Sequence, residues 1–82
     1  RATVATPWAR RGAVMRTLVE VAGDRAVPTS EGVRIVEPDG GWVLAVPDEV
    51  QAVIRLWAEG ATDERAEELL TRWYAVIEGV VT

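Results

Sequence analysis

Two apolar segments, Trp42-Val43-Leu44-Ala45-Val46 and Val53-Ile54-Arg55-Leu56-Trp57-Ala58-Glu59, are separated by six residues that begin with a proline. The first is apolar throughout, and the second alternates with a period of two. Neither has the length or spacing of an amphipathic helix, so both must enter a sheet. Pro47 has no N–H to give a ladder, which ends the first strand there. The loop Pro47-Asp48-Glu49-Val50-Gln51-Ala52 is therefore the exposed irregular backbone where a functional site belongs. The other segments supply its support.

Upstream, residues 2–6 lean towards β structure through Thr3 and Val4 and suit an edge strand or an interdomain connection. Thr6-Pro7 predicts a helix start, with Thr6 as cap and Pro7 in the first turn. Trp8, Val14, Met15, Leu18, Val21 and Ala22 fall mainly on one helical face. Gly12 lies inside that helix, either to allow close packing on the sheet or because the first turn is irregular. Gly23 ends it. Residues 25–31 read as a loop around Pro28, Thr29 and Ser30. Residues 32–37 form a strand with Val33 and Ile35 on one face and Arg34 and Val36 on the other. Pro38-Asp39-Gly40-Gly41 turns the chain into the next strand.

In the second apolar segment Ile54, Leu56 and Ala58 are expected to face the helices, with Val53, Arg55 and Trp57 on the open side. Thr62 caps the last helix, and Asp63 and Glu64 suit its positive end. Ala66, Leu69, Leu70, Trp73 and Ile77 make its apolar stripe. Glu68 and Arg72 are an (i, i+4) pair on the wet side. The order β-α-β-β-β-α predicts an α+β domain over residues 1–82, with a four-stranded antiparallel sheet and two helices on one face.

Composition limits the chemistry. The 82 residues contain no Cys and no His, which removes disulfides, thiolates, the usual general base and the commonest zinc ligand. The net charge is −4 and there is no basic run, which argues against nucleic acid as a partner. No apolar run is long enough to span a bilayer, and there is no signal-peptide pattern. These features argue against an independent enzyme. Because the chain starts at Arg1, we expect a piece of a longer protein.

The run GVRIVEPDGGWVLAVPDEVQAVIRLWAEGATDERAEELL, residues 32–70, resembles the C-terminal domain of the α-D-phosphohexomutases, the phosphomannomutase and phosphoglucomutase group. That family has a hairpin, a strand entering an Arg-Pro-Ser-Gly-Thr-Glu-Pro loop, a strand of the type Leu-Arg-Val-Tyr-Val-Glu, and an Ala/Glu/Leu-rich helix. Pro47, Arg55 and Glu59 match the pattern. Upstream, Pro7-Trp8 through Gly12-Ala13-Val14-Met15-Arg16 resembles the subgroup fused to a mannose-1-phosphate guanylyltransferase-like nucleotidyltransferase. The fold implied is the phosphoglucomutase C-terminal, TATA-box-binding-protein-like one.

By loop position, the resemblance makes Pro47, Asp48, Glu49, Val50, Gln51 and Arg55 the candidate phosphosugar-binding residues. It implies no catalytic or metal-ligating residue here. It places a Mg²⁺ site and a phosphoserine elsewhere in a cytoplasmic parent, with other domains of the same polypeptide as partners.

The loop departs from the family where the ligand would sit. Val46 replaces the Arg, Asp48 the Ser, Glu49 the Gly, Val50 the Thr, Gln51 the Glu and Ala52 the Pro. Two acids stand where a dianion would need donors. At ~4 Å and an effective dielectric near 20, each like-charge contact costs about 4 kcal/mol before screening.

Asp48 and Glu49 are otherwise expected to be solvated loop acids rather than metal ligands. Arg55 and Trp57, with Arg34 on the next strand, could contact a sugar phosphate but are expected to pack on the open sheet face or against a neighbouring domain. Core packing is expected for Trp8, Trp42 and Trp73, and an exposed helix face for Arg10, Arg11 and Arg16. The leading reading is a structural or regulatory mutase-like domain with a degenerate loop. A live phosphosugar site using Gln51, Arg55 and backbone amides is one alternative. An unrelated ligand-sensing or dimerising module that buries Trp57 and Arg55 is the other.

Overall fold

A computed structural model describes residues 1–82. The elements run β1 (Ala2–Ala5), α1 (Arg11–Ala22), β2 (Ala26–Pro28), β3 (Val33–Val36), β4 (Trp42–Pro47), β5 (Val53–Glu59) and α2 (Asp63–Val81). All pairings are antiparallel, in the spatial order β1-β5-β4-β3-β2. The sheet thus has five strands rather than four. The added strand, β2, occupies part of the predicted 25–31 loop. It has three residues and ends in Pro28, which an edge strand tolerates because its outer side needs no ladder donor.

The period-two reading of the strands holds. Val33, Ile35, Val43, Ala45, Ile54 and Leu56 are buried against Val14, Leu18 and Ala22 of α1 and Leu69, Leu70, Trp73 and Ile77 of α2. Thr62 caps α2 as expected, its hydroxyl accepting from the Arg65 amide at 3.1 Å. In the β3–β4 turn Gly40 has φ 90°, a backbone state that side-chain-bearing residues rarely take. No helix is long and apolar enough to cross a membrane.

Four expectations change. Thr6 does not cap α1: it is fully buried and its hydroxyl donates to the Val4 carbonyl at 3.0 Å. The chain enters α1 through a 3-10 turn, Trp8–Arg10, so the first turn is the irregular one. Trp8 leaves the core stripe and is 54% exposed, and Trp42 lies half-buried on the open sheet face; only Trp73 packs in the core. Finally, Arg72 does not pair with Glu68. It reaches Glu37 at 3.5 Å, and Glu68 takes Arg65 at 3.3 Å.

Candidate functional site

The loop after β4 is shaped by one of its own side chains. The Asp48 amide donates to the Val53 carbonyl at 3.0 Å, and Val53 returns a bond to the Gln51 carbonyl at 2.8 Å. These bonds close a tight bend between the ends of β4 and β5. Inside it, Oδ1 of Asp48 accepts from the amides of Val50 and Gln51, both at 2.8 Å. Oδ2 accepts from Arg55 Nε at 2.9 Å. The carboxylate is therefore bonded on both oxygens, and its side chain is only 18% exposed.

These contacts all favour the ionised form. The Gln51 amide, then the Val50 amide and the Arg55 guanidinium, hold the Asp48 carboxyl down to about 2. Asp48 is thus not a solvated loop acid. Nor does it act first as a repelling charge, because donors in the loop and Arg55 compensate it. Arg55 starts on the open sheet face beside Trp57, as expected, but its guanidinium turns to the loop and also reaches Gln51 Oε1 at 3.5 Å.

The other candidates stand apart from this constellation. Pro47 is the last residue of β4, Glu49 is exposed, and Val50 points outward with 85% of its surface exposed. Beside the loop lies an open depression of about 400 Å³ whose lining includes Ser30, Glu31, Pro47, Asp48, Glu49 and Arg55. Three carboxylates face one guanidinium there, and that guanidinium is already bonded. The lining of the basin carries more acid than base.

Two further features were not foreseen. Arg11 ties the loop to α1: its guanidinium donates to the Gln51 carbonyl and lies 3.8 Å from the centre of the Trp8 ring. The Thr6 amide adds a bond to the Ala52 carbonyl at 2.8 Å. Away from the loop, Glu37 is buried and receives Arg25 Nη1 at 3.1 Å on both oxygens, Arg72 at 3.5 Å and Arg65 at 3.8 Å. The signal for Glu37 was present, since a period of two carries the inward face of Val33 and Ile35 on to residue 37. Nothing local announces the Arg11 contact, which spans 40 residues of sequence.

No cluster of three or more acidic, histidine or cysteine side chains could hold a metal ion. The residues present do not fit a Mg²⁺ ion.

Comparison with curated proteins finds relatives among the phosphomutases. The chain is 31% identical over 86 residues to a probable phosphoglucosamine mutase of Methanothermobacter thermautotrophicus, covering 99% of this chain and 19% of the relative. It is 38% identical over 84 residues to a probable phosphoglucosamine mutase of Methanopyrus kandleri, covering 99% of this chain and 18% of the relative. Over nearly its whole length the chain is similar to phosphoglucosamine mutases. A phosphopentomutase of Thermococcus kodakarensis is 35% identical over 57 residues, 70% of this chain and 13% of the relative. No family model matches the chain. It spans about a fifth of the length of the phosphoglucosamine mutases it matches.

Proposed function

We propose that this chain is the C-terminal domain of a phosphomutase-like protein of sugar-phosphate metabolism, and that its loop has exchanged phosphosugar binding for a structural role. The observation carrying this reading is the Asp48 carboxylate, which takes the amides of Val50 and Gln51 and the guanidinium of Arg55 for itself. A phosphate entering there would have to displace a tethered anion and face Glu31 and Glu49 besides. It would find no hydroxyl or free arginine at positions 46, 48 or 50, where the family pattern supplies them.

Catalysis in the parent would then reside outside these residues, together with the phosphoserine, the Mg²⁺ site and the other domains that the resemblance implies. The Pro7-Trp8 and Gly12-Ala13-Val14-Met15-Arg16 runs support a narrower form of the proposal, a cytoplasmic parent that also carries a sugar-phosphate nucleotidyltransferase. The parent reading frame tests that form directly: a nucleotidyltransferase region is expected upstream, and its absence removes the narrower form alone.

Titration of the chain with mannose 1-phosphate, followed by amide NMR, tests the loop. At millimolar ligand the amides of residues 46–53 are expected to stay in place. Saturable shifts confined to those residues would establish the second reading, in which Asp48 swings out and Arg55 with the Val50 and Gln51 amides receives the phosphate. That reading draws on the same three donors, which are arranged for an oxyanion whichever one occupies them.

A further inference from the structure

An antiparallel sheet with helices on one side usually turns a polar face to water on the other. This sheet does not. Val27, Val36, Trp42, Leu44, Val46 and Trp57 occupy its open face, in cross-strand pairs Val27–Arg34, Arg34–Leu44, Leu44–Trp57 and Val36–Trp42. Val27 and Val36 are 46% and 38% exposed, and the two tryptophans and Leu44 are covered only by one another and by neighbouring side chains. Two tryptophans, a leucine and three valines on one face, interrupted by Arg34 and Arg55, make a largely apolar surface of the kind that marks a buried contact.

The charges on this face say what kind of surface it meets. Arg55 is taken by Asp48, whereas Arg34 is exposed and has no carboxylate partner within the chain. Its guanidinium carbon lies 4.7 Å from the centre of the Trp42 ring. Stacking of that kind leaves the N–H edge free for an acid from outside. The one carboxylate side chain among the paired positions on this face, Glu59, sits at the exposed end of β5.

We propose that the open sheet face is where the remainder of a phosphomutase-like polypeptide packs, through a flat apolar surface that brings a carboxylate to Arg34. This rests on the reading above that the chain is one domain of a longer protein. The matched phosphoglucosamine mutases carry about four-fifths of their length outside the aligned region. Of the two broad faces of this domain, the helical one bears Asp63, Glu64, Glu67 and Glu68 on α2 beside exposed Val19 and Val21 on α1, whereas the sheet face carries the two half-buried tryptophans. A second copy fits less well. Docking its acidic α2 on Arg34 is head-to-tail and would build a ring or a filament rather than a two-fold dimer, and a two-fold pairing of sheet faces supplies no central carboxylate.

Hydroxyl-radical footprinting read by mass spectrometry, on this chain alone and within its full-length polypeptide, tests the proposal. Oxidation of Trp42 and Trp57 is expected to fall several-fold in the full-length protein, while Trp73 stays protected in both. In the full-length protein Leu44→Glu is expected to restore labelling of both tryptophans, and the same change in the chain alone to leave them labelled. Equal labelling of Trp42 and Trp57 in chain and full-length protein overturns the inference and leaves the phosphomutase-like reading standing. Protection in the chain alone, with a dimer in sedimentation, overturns it in favour of a second copy. If the reading frame encodes nothing beyond this domain, both fall together.

Discussion

Arg55 Nε and Asp48 Oδ2 lie 2.9 Å apart, joining the middle of β5 to the first residue beyond β4 across the bend between them. The same carboxylate holds two loop amides through its other oxygen, so one side chain sets the loop conformation from inside. Glu49, its neighbour in sequence, makes none of these bonds and stays in solvent.

The acid limb of the stability curve should report on Asp48. Its folded-state pKa is lowered from 3.8 to about 2, so between those values the unfolded chain binds more protons. The stability it contributes is present above the unfolded value and is lost as pH falls through the folded one. Asp39, lowered by the Gly41 amide and then by Arg65, acts in the same direction. Asp48→Asn is expected to flatten part of the fall in melting temperature below about pH 4, and Asp39→Asn a further part. An unchanged acid limb in both variants would refute this assignment.

Glu37 should be costlier to strand than to remove. Its side chain is 2% exposed, while Arg25, Arg65 and Arg72 all keep contact with water. Arg25→Met with Arg65→Met leaves a nearly dry carboxylate with only the half-exposed Arg72, at 3.5 Å, and is expected to cost about 3 kcal/mol. Glu37→Leu leaves only solvated arginines and should cost less. Urea unfolding of the two variants decides the order, and the reverse order would show that attraction rather than desolvation dominates.

The two tryptophans of the predicted helical stripes should separate sharply. Trp73 is 1% exposed and Trp8 is 54% exposed. Trp73→Ala is expected to lose about 3–5 kcal/mol, the transfer and cavity cost of a large core side chain. Trp8→Ala gives up an exposed stack with Arg11, about 1 kcal/mol or less. Comparable losses in denaturant melts would contradict the exposure of Trp8.

Two glycines offer opposite signs. A Cβ at Gly32 would lie 2.0 Å from the Ala45 carbonyl oxygen, a backbone atom that cannot move aside cheaply. Gly32→Ala is therefore expected to cost about 1–3 kcal/mol as strand β3 is pushed from β4. At Gly79, within α2, a Cβ meets nothing within 4 Å. Gly79→Ala should gain up to about 1 kcal/mol from helix propensity. Melting temperatures moving in the same direction for both would be the refuting outcome.

Alternation and helical spacing were enough to place Val33, Ile35, Ile54 and Leu56 inward and to find Leu69, Leu70, Trp73 and Ile77 on one side of the last helix. These are properties of neighbours a few positions apart, and the backbone repeat converts them directly into a face. The second strand, β2, was invisible, since Ala26-Val27-Pro28 is too short to show a period. Trp8 was misplaced because Pro7 opens a 3-10 turn, which rotates its side chain away from the stripe of α1.

Partnerships needed the folded chain. Period tells which face a residue occupies but not which residue lies opposite, and every decisive polar contact here except those of the loop with itself joins distant positions: Arg11 with Gln51, Arg25 and Arg72 with Glu37, Arg65 with Asp39. Asp48 shows the difference most plainly. Its charge and position were readable from the residues alone, and they suggested repulsion. The Val50 and Gln51 amides reach it as a local turn, but the guanidinium that fills its second oxygen arrived only when β4 and β5 came into register, because that register is what brings Arg55 back to the start of the loop.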